Sequence, residues 1–145
     1  IRIMRIPVNL PYQINSPYGK ERDFWIDGVH IHDIHDGIDF ANIGNKDRKV
    51  FPVLPGVVVT AEWHHTTGYY VIIKHDSVGY SKYCHLKPMH VKVGDEVDVT
   101  DCIGEYALVG KTTGLHVHVS VYNFNWAHFD FSSWLDENYT RELDT

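Results

Sequence analysis

Cysteine is scarce in this chain: its 145 residues hold only 2, Cys84 and Cys102. Two thiols cannot build the framework of a small disulfide-stapled domain, and without a CxxC pair there is no sign of a structural zinc knuckle. We expect both to be buried as small hydrophobes, the alternatives being a single disulfide or a nucleophilic Cys84 beside His85. Adjacent strand residues face opposite ways, which speaks against that dyad. Long apolar runs are missing too; none approaches the roughly 18 residues of a membrane helix. Positive charge is in deficit, with 13 Lys plus Arg against 19 Asp plus Glu and a formal net charge of −6. Neither nucleic acid nor an anionic membrane is therefore an expected partner.

Uninterrupted helix-length segments are also lacking, because Gly and Pro punctuate the chain throughout. Between them lie runs rich in Val, Ile, Tyr and Phe, so the fold class reads as mainly β. Expected strands are 49–53, 56–63, 69–75, 79–86, 96–99 and 115–122. Turn residues at Pro55-Gly56, Thr67-Gly68, Asp76-Ser77 and Gly94-Asp95 make neighbours antiparallel. Residues up to Asn15 read as an irregular lead-in and Asp23 to Ile34 as a loop. A short C-terminal helix is expected over 132–138, capped by Ser132 or Ser133. The length suits one domain, residues 1–145, and the first residue, Ile1, suggests a piece of a longer chain with further domains.

Histidine is plentiful, with 11 residues. The run Gly114-Leu115-His116-Val117-His118-Val119-Ser120-Val121 sets two imidazoles two residues apart in a β-forming context, where side chains alternate and both rings share a face. Such a pair on its own is more often two hydrogen-bonded core rings than a metal site. Upstream, His35-Asp36-Gly37-Ile38-Asp39 offers an imidazole and a carboxylate four residues apart. Two His and one Asp form an incomplete zinc shell. Catalytic zinc sites use three protein ligands and leave the fourth position for water or substrate, which favours a hydrolase over a closed structural site. Gly37 has a plainer reading as well, a tight bend after Asp36.

Taken in order, Ser16-Pro17-Tyr18-Gly19, His35-Asp36-Gly37-Ile38-Asp39-Phe40, Tyr83-Cys84-His85-Leu86, Val93-Gly94-Asp95, Ile103-Gly104 and Leu115-His116-Val117-His118 resemble the signature of the LytM/lysostaphin-type zinc endopeptidases. The resemblance spans a core of about residues 16–122. It implies a lysostaphin-type, β-sandwich-like peptidase domain holding one Zn2+ through His35, Asp39 and His118. It also implies two catalytic histidines that are not ligands, His85 and His116. On this reading His116 accepts a proton from the attacking water and His85 donates to the developing oxyanion, and sequence alone leaves the two roles exchangeable. The implied substrate is the peptide crosslinks of bacterial peptidoglycan, and the implied location extracellular or at the cell wall. Members occur in autolysins, bacteriocins, division factors and phage structural proteins, and we lean towards a virion tail protein. Degenerate relatives act as noncatalytic binding or activator modules, and a zinc-stabilised structural module of a larger assembly is a further alternative. Here all three ligand positions and both further histidines are present.

Other histidines and aromatics carry plainer expectations. His30 and His32 sit on a rim loop, His64 and His65 at a hairpin tip, and His75 in a turn, while His90 and His128 have no evident partner. The aromatics after residue 122 are expected to pack on the sheet, with Tyr69 or Tyr70 as weaker candidates for lining a groove. Asn9 and Asn15 are candidates for a leader residue that blocks the metal.

Overall fold

The computed structural model describes residues 3–143. In chain order the strands are Met4–Arg5 (β1), Tyr12–Ser16 (β2), Glu21–Ile26 (β3), Val29–Ile34 (β4), Ile38–Asn42 (β5), Lys49–Val50 (β6), Gly56–His64 (β7), Gly68–Lys74 (β8), Tyr80–Met89 (β9), Glu96–Val97 (β10), Gly104–Tyr106 (β11), Val117–Tyr122 (β12) and Leu135–Asp136 (β13), followed by the helix Glu137–Leu143 (α1). Nine strands form one sheet along the order β10-β7-β8-β9-β12-β5-β2, with β11 and β6 attached beside β9. The pairings within it are antiparallel, as tight glycine turns between β-branched runs require.

One face of this sheet carries the core. Val71, Ile73, Tyr83, Leu86, Val117, Val119, Val121 and Phe40 are buried there with Met4, Ile6 and Phe131 from the chain ends. Period-two alternation then decides the other face. In β12 the odd-numbered valines enter the core, so the even positions His118, Ser120 and Tyr122 lie on the opposite side. Truncating a fully buried anchor such as Leu86 to Ala removes about 2–5 kcal/mol of stability.

Three regions differ from the sequence expectation. Asp23 to Ile34 is no loop: β3 and β4 form a hairpin that pairs with no other strand. Its turn, Asp27-Gly28, has both residues at positive φ, a strong hairpin signal overlooked among the histidines. The lead-in is ordered, since β2 pairs with β5 and β1 runs parallel to β13. At the C terminus, Ser132–Trp134 is a single 3-10 turn and the helix begins only at Glu137. There the Asp136 side chain accepts from the Tyr139 backbone N–H at 2.8 Å, so the cap is Asp136 rather than a serine.

Candidate metal centre and its groove

Register brings the candidate ligands together. His118 lies directly opposite Asp39 of β5 on one side and opposite Cys84 of β9 on the other. His35 precedes β5, held by hydrogen bonds from its own N–H to the Lys20 carbonyl and from the Gly19 N–H to its carbonyl, both 2.9 Å. Between them Gly37 passes so close to β12 that a Cβ there would lie 2.9 Å from His118 Nε2. Close approach, rather than a left-handed bend, is what makes glycine necessary at this point.

Outer hydrogen bonds fix the two rings. His35 Nδ1 lies 3.0 Å from the Pro17 carbonyl, which can only accept, so the proton sits on Nδ1 and Nε2 keeps its lone pair. Ser16 Oγ is 3.1 Å from the same nitrogen. His118 Nε2 lies 3.0 Å from Asp36 Oδ1 and donates to it, leaving Nδ1 as the acceptor. The two free lone pairs and Asp39 Oδ1 then face one another at 3.0 Å between the rings, 3.3 Å from His35 and 2.9 Å from His118. Three acceptors converging in a buried corner repel unless a cation lies among them. Among the described residues these three alone group in this way.

Their spacing fits a metal. Donors bound tetrahedrally at about 2.0–2.1 Å from one ion stand roughly 3.3–3.4 Å apart, close to the distances seen here. Two imidazole nitrogens and one carboxylate oxygen suit zinc, and the outer partners Pro17 and Asp36 orient the rings as metal-ligating histidines require. In the absence of an ion the same corner attracts a proton. Burial opposes charge on His118, but its hydrogen bonds with Asp36 and Asp39 outweigh that and push its pKa up to about 9. Burial likewise opposes charge on Asp39, and the bonds from His118 and His35 overcome it, holding the carboxyl well below its ordinary range.

The expected catalytic histidines border the same cavity, about 570 Å³ in volume, together with Asp39 and His118. His85 gets there by breaking strand alternation: its φ is +68°, a left-handed conformation rare for a residue with a side chain. Its Nδ1 donates to the Val109 carbonyl at 2.8 Å, which leaves Nε2 as acceptor, and burial brings its pKa down to about 4. His116, just before β12, stands edge-on to His85 with ring centroids 5.8 Å apart. Its Nε2 is 3.5 Å from Asp39 Oδ2 and 3.4 Å from Thr112 Oγ1, and burial lowers its pKa as well.

A second hollow of about 200 Å³ adjoins the first across His118 and His85 and continues along Ser120 to Tyr122. The groove thus follows the outward face of β12. One wall is the β3–β4 hairpin and another the segment Lys111–Gly114, tied together at the rim by Lys111 Nζ to Asp27 Oδ2 at 3.1 Å. Sequence reading missed Asp36, Thr112, Lys111 and the hairpin. Asp36 lay inside the motif already quoted, next to His35, and that adjacency was the available signal, since its contact with His118 spans 82 residues of sequence.

The remaining candidates fall elsewhere. Both cysteines are free, Cys84 buried and Cys102 half-buried. Cys84 does border the second hollow beside His85, because of the left-handed turn, but burial pushes its thiol up to about 12 and removes it as a nucleophile. His30 bonds to Asp23 and His32 to Glu21, exposed pairs across the hairpin. His75 is buried between the Pro55 carbonyl and Ser81 Oγ, each at 2.8 Å. His128 has a partner after all, Tyr18 Oη at 2.8 Å. Asn9 bonds to Arg5, Asp47 and Asn42, away from the metal corner, while exposed Asn15 borders the larger cavity. Tyr69 packs against the core, whereas the Tyr70 hydroxyl donates to Glu62.

Known proteins resemble this chain in sequence and in fold. Peptidoglycan DD-endopeptidase ShyB of Vibrio cholerae is 34% identical over 119 residues, 81% of this chain and 27% of that protein. The crystal structure of a zinc-containing peptidase from Vibrio cholerae superposes with a TM-score of 0.72 at 30% identity, covering 89% of this chain and 39% of that one. A chain of the SpoIIQ–SpoIIIAH pore-forming complex has a TM-score of 0.80 at 21% identity, covering 94% of this chain and 92% of that one, a likeness of fold alone. The chain spans about a third or less of the length of the curated relatives it matches. Residues 33–130, about two thirds of the sequence, match the description Peptidase family M23, and the chain belongs to that family.

Proposed function

We propose that this chain is a zinc-dependent endopeptidase acting on the peptide crosslinks of bacterial peptidoglycan, with His35, Asp39 and His118 as the metal ligands and His85 and His116 as the catalytic histidines. The observation that carries this reading is the convergence of three acceptor atoms at 2.9–3.3 Å, each ring fixed by an outer hydrogen bond, at the floor of an open groove. When bound, zinc supplies Lewis-acid polarisation of the scissile carbonyl and acidifies water near neutral pH.

The protein's own groups do the rest. Neutral His85, its Nδ1–H held by the Val109 carbonyl, presents Nε2 as the proton acceptor for the attacking water and then returns that proton to the leaving amine. His116, with Nε2 beside the Asp39 carboxylate, carries its proton on that nitrogen and donates to the oxyanion as charge develops. This is the exchanged form of two roles that the sequence left open, and the His85–Val109 hydrogen bond supports it. A peptide in extended form suits a groove running along β12. Location at the cell wall, and further domains in the longer chain, accompany this reading.

The test is release of new amino groups from purified peptidoglycan by the zinc-loaded protein, with mass spectrometry of the fragments. Cleavage within crosslinks that disappears on chelation and returns with zinc is the expected result. Because the fold also occurs in a pore-forming complex, a noncatalytic module is the competing reading. One equivalent of bound zinc without any turnover would establish it instead.

A further inference from the structure

At the far end of the groove from Gly114 lies an aromatic cluster that the chemistry above does not use. The Tyr80 and Trp126 rings stack with centroids 3.8 Å apart and planes 13° from parallel. Phe124 meets Tyr80 edge-on at 5.9 Å, and Tyr122 contacts Trp126 at 5.8 Å. Despite this packing, Phe124 remains 47% and Trp126 51% exposed. A tight loop holds them there: Trp126 takes a φ of +63°, its N–H donates to the Asn123 carbonyl, and the Asn123 side chain accepts from the N–H groups of Asn125 and Ala127. Large rings kept rigid and half-exposed mark a binding surface.

Its position says what it binds. His118, Ser120 and Tyr122 lie on one face of β12, directly opposite Cys84, Lys82 and Tyr80 of β9, so the floor of the groove runs unbroken from the metal corner to the platform. At ~3.3 Å per residue, Tyr122 stands ~13 Å from His118. In a bacterial cell wall the crosslinking peptides hang from sugar strands by a stem of about four residues, which when extended spans ~13–14 Å. A scissile bond at the metal corner therefore places the first sugar at the aromatic rings. A pyranose suits them, having an apolar C–H face for stacking and a polar rim for the amides and hydroxyls nearby.

We propose that Trp126 and Phe124, backed by Tyr80 and Tyr122, form a glycan-stacking subsite that anchors the sugar bearing the peptide under attack. This inference rests on the peptidoglycan reading and names a further part of the substrate. Its first test is independent of turnover: the indole N–H resonance of Trp126 is followed by NMR as a peptide-free N-acetylglucosamine–N-acetylmuramic acid oligosaccharide is added. A saturable shift is expected in the wild type and in the His118→Ala variant. In calorimetric titration with the same oligosaccharide, the Trp126→Phe variant should keep most of the binding and Trp126→Ala should lose it, with circular dichroism confirming that both fold.

The second test compares crosslinked disaccharide-peptide dimers with the same dimers stripped of sugar. Trp126→Ala should raise KM roughly five- to tenfold on the sugar-bearing dimer with kcat held, and the penalty should vanish on the sugar-free one. No oligosaccharide shift, an equal penalty on both dimers, or burial of Trp126 between two copies in sedimentation experiments would each overturn the subsite. Oligosaccharide binding without hydrolysis of either dimer would retain the subsite and remove the peptidase reading. Hydrolysis of both dimers with equal efficiency in wild type would do the reverse.

Discussion

This protein carries the His-x-His spacing twice, on β4 and at the start of β12, and only the second joins a converging set of donors that could hold a metal. On β4, His30 and His32 face solvent from a hairpin and pair with Asp23 and Glu21, single carboxylates on flexible, exposed side chains. Beside and on β12, His116 and His118 lie between β5 and β9, and Asp39 stands opposite His118 in register. Histidine and carboxylate are common to both places. What differs is convergence: at the second site a third donor, His35, arrives from another part of the chain, and Pro17 and Asp36 decide which nitrogens keep lone pairs. Spacing along a strand sets a face, but burial, register and outer hydrogen bonds make a ligand set.

That contrast can be broken most severely at the ligands themselves. Asp39→Ala or His118→Ala should reduce peptidoglycan hydrolysis to the blank and bring zinc, measured by elemental analysis, from one equivalent to near none. His85→Ala should lower kcat by about 10²–10⁴-fold while zinc stays bound, since it removes the proton acceptor and no ligand. Retained turnover in that variant would disprove its role. Asp36→Ala frees the His118 ring to rotate and should weaken zinc affinity by roughly 10–100-fold, read by competition with a chromophoric chelator.

Smaller effects sharpen the comparison from the other side. His75 is a buried histidine with no metal role, and burial lowers its pKa below the ordinary 6.5. The unfolded chain therefore takes up the proton first, so His75 makes stability fall as pH drops below about 6.5. A His75→Gln variant should show a shallower loss between pH 6.5 and 5 in denaturant titrations. Least of all should change on the hairpin: the double variant His30→Ala, His32→Ala is expected to hold its zinc equivalent and to retain hydrolysis within about twofold, because exposed pairs of this kind contribute little.

Much of this was legible beforehand. Alternation located the sheet strands because their inward valines and isoleucines fill the core, and the ordered motifs singled out His35, Asp39, His85, His116 and His118, four of which line one cavity while buried His35 lies 3.0 Å from His118. What escaped depended on long-range contacts. The proposed division between His85 and His116 rests on a carbonyl 24 residues away, and no local pattern announces that bond. The left-handed backbone at His85 put it beside Cys84 against the rule of alternation. The hairpin has a local signal in the Asp27-Gly28 turn at positive φ, and the helix starts late because Asp136 rather than a serine caps it.

Anomalous X-ray diffraction at the zinc edge, on crystals of the zinc-loaded protein, tests the metal corner most directly. The expected map has one strong peak among His35 Nε2, Asp39 Oδ1 and His118 Nδ1, and none between His30 and His32. A peak on the hairpin with the buried corner empty, or no bound zinc at all, would contradict it.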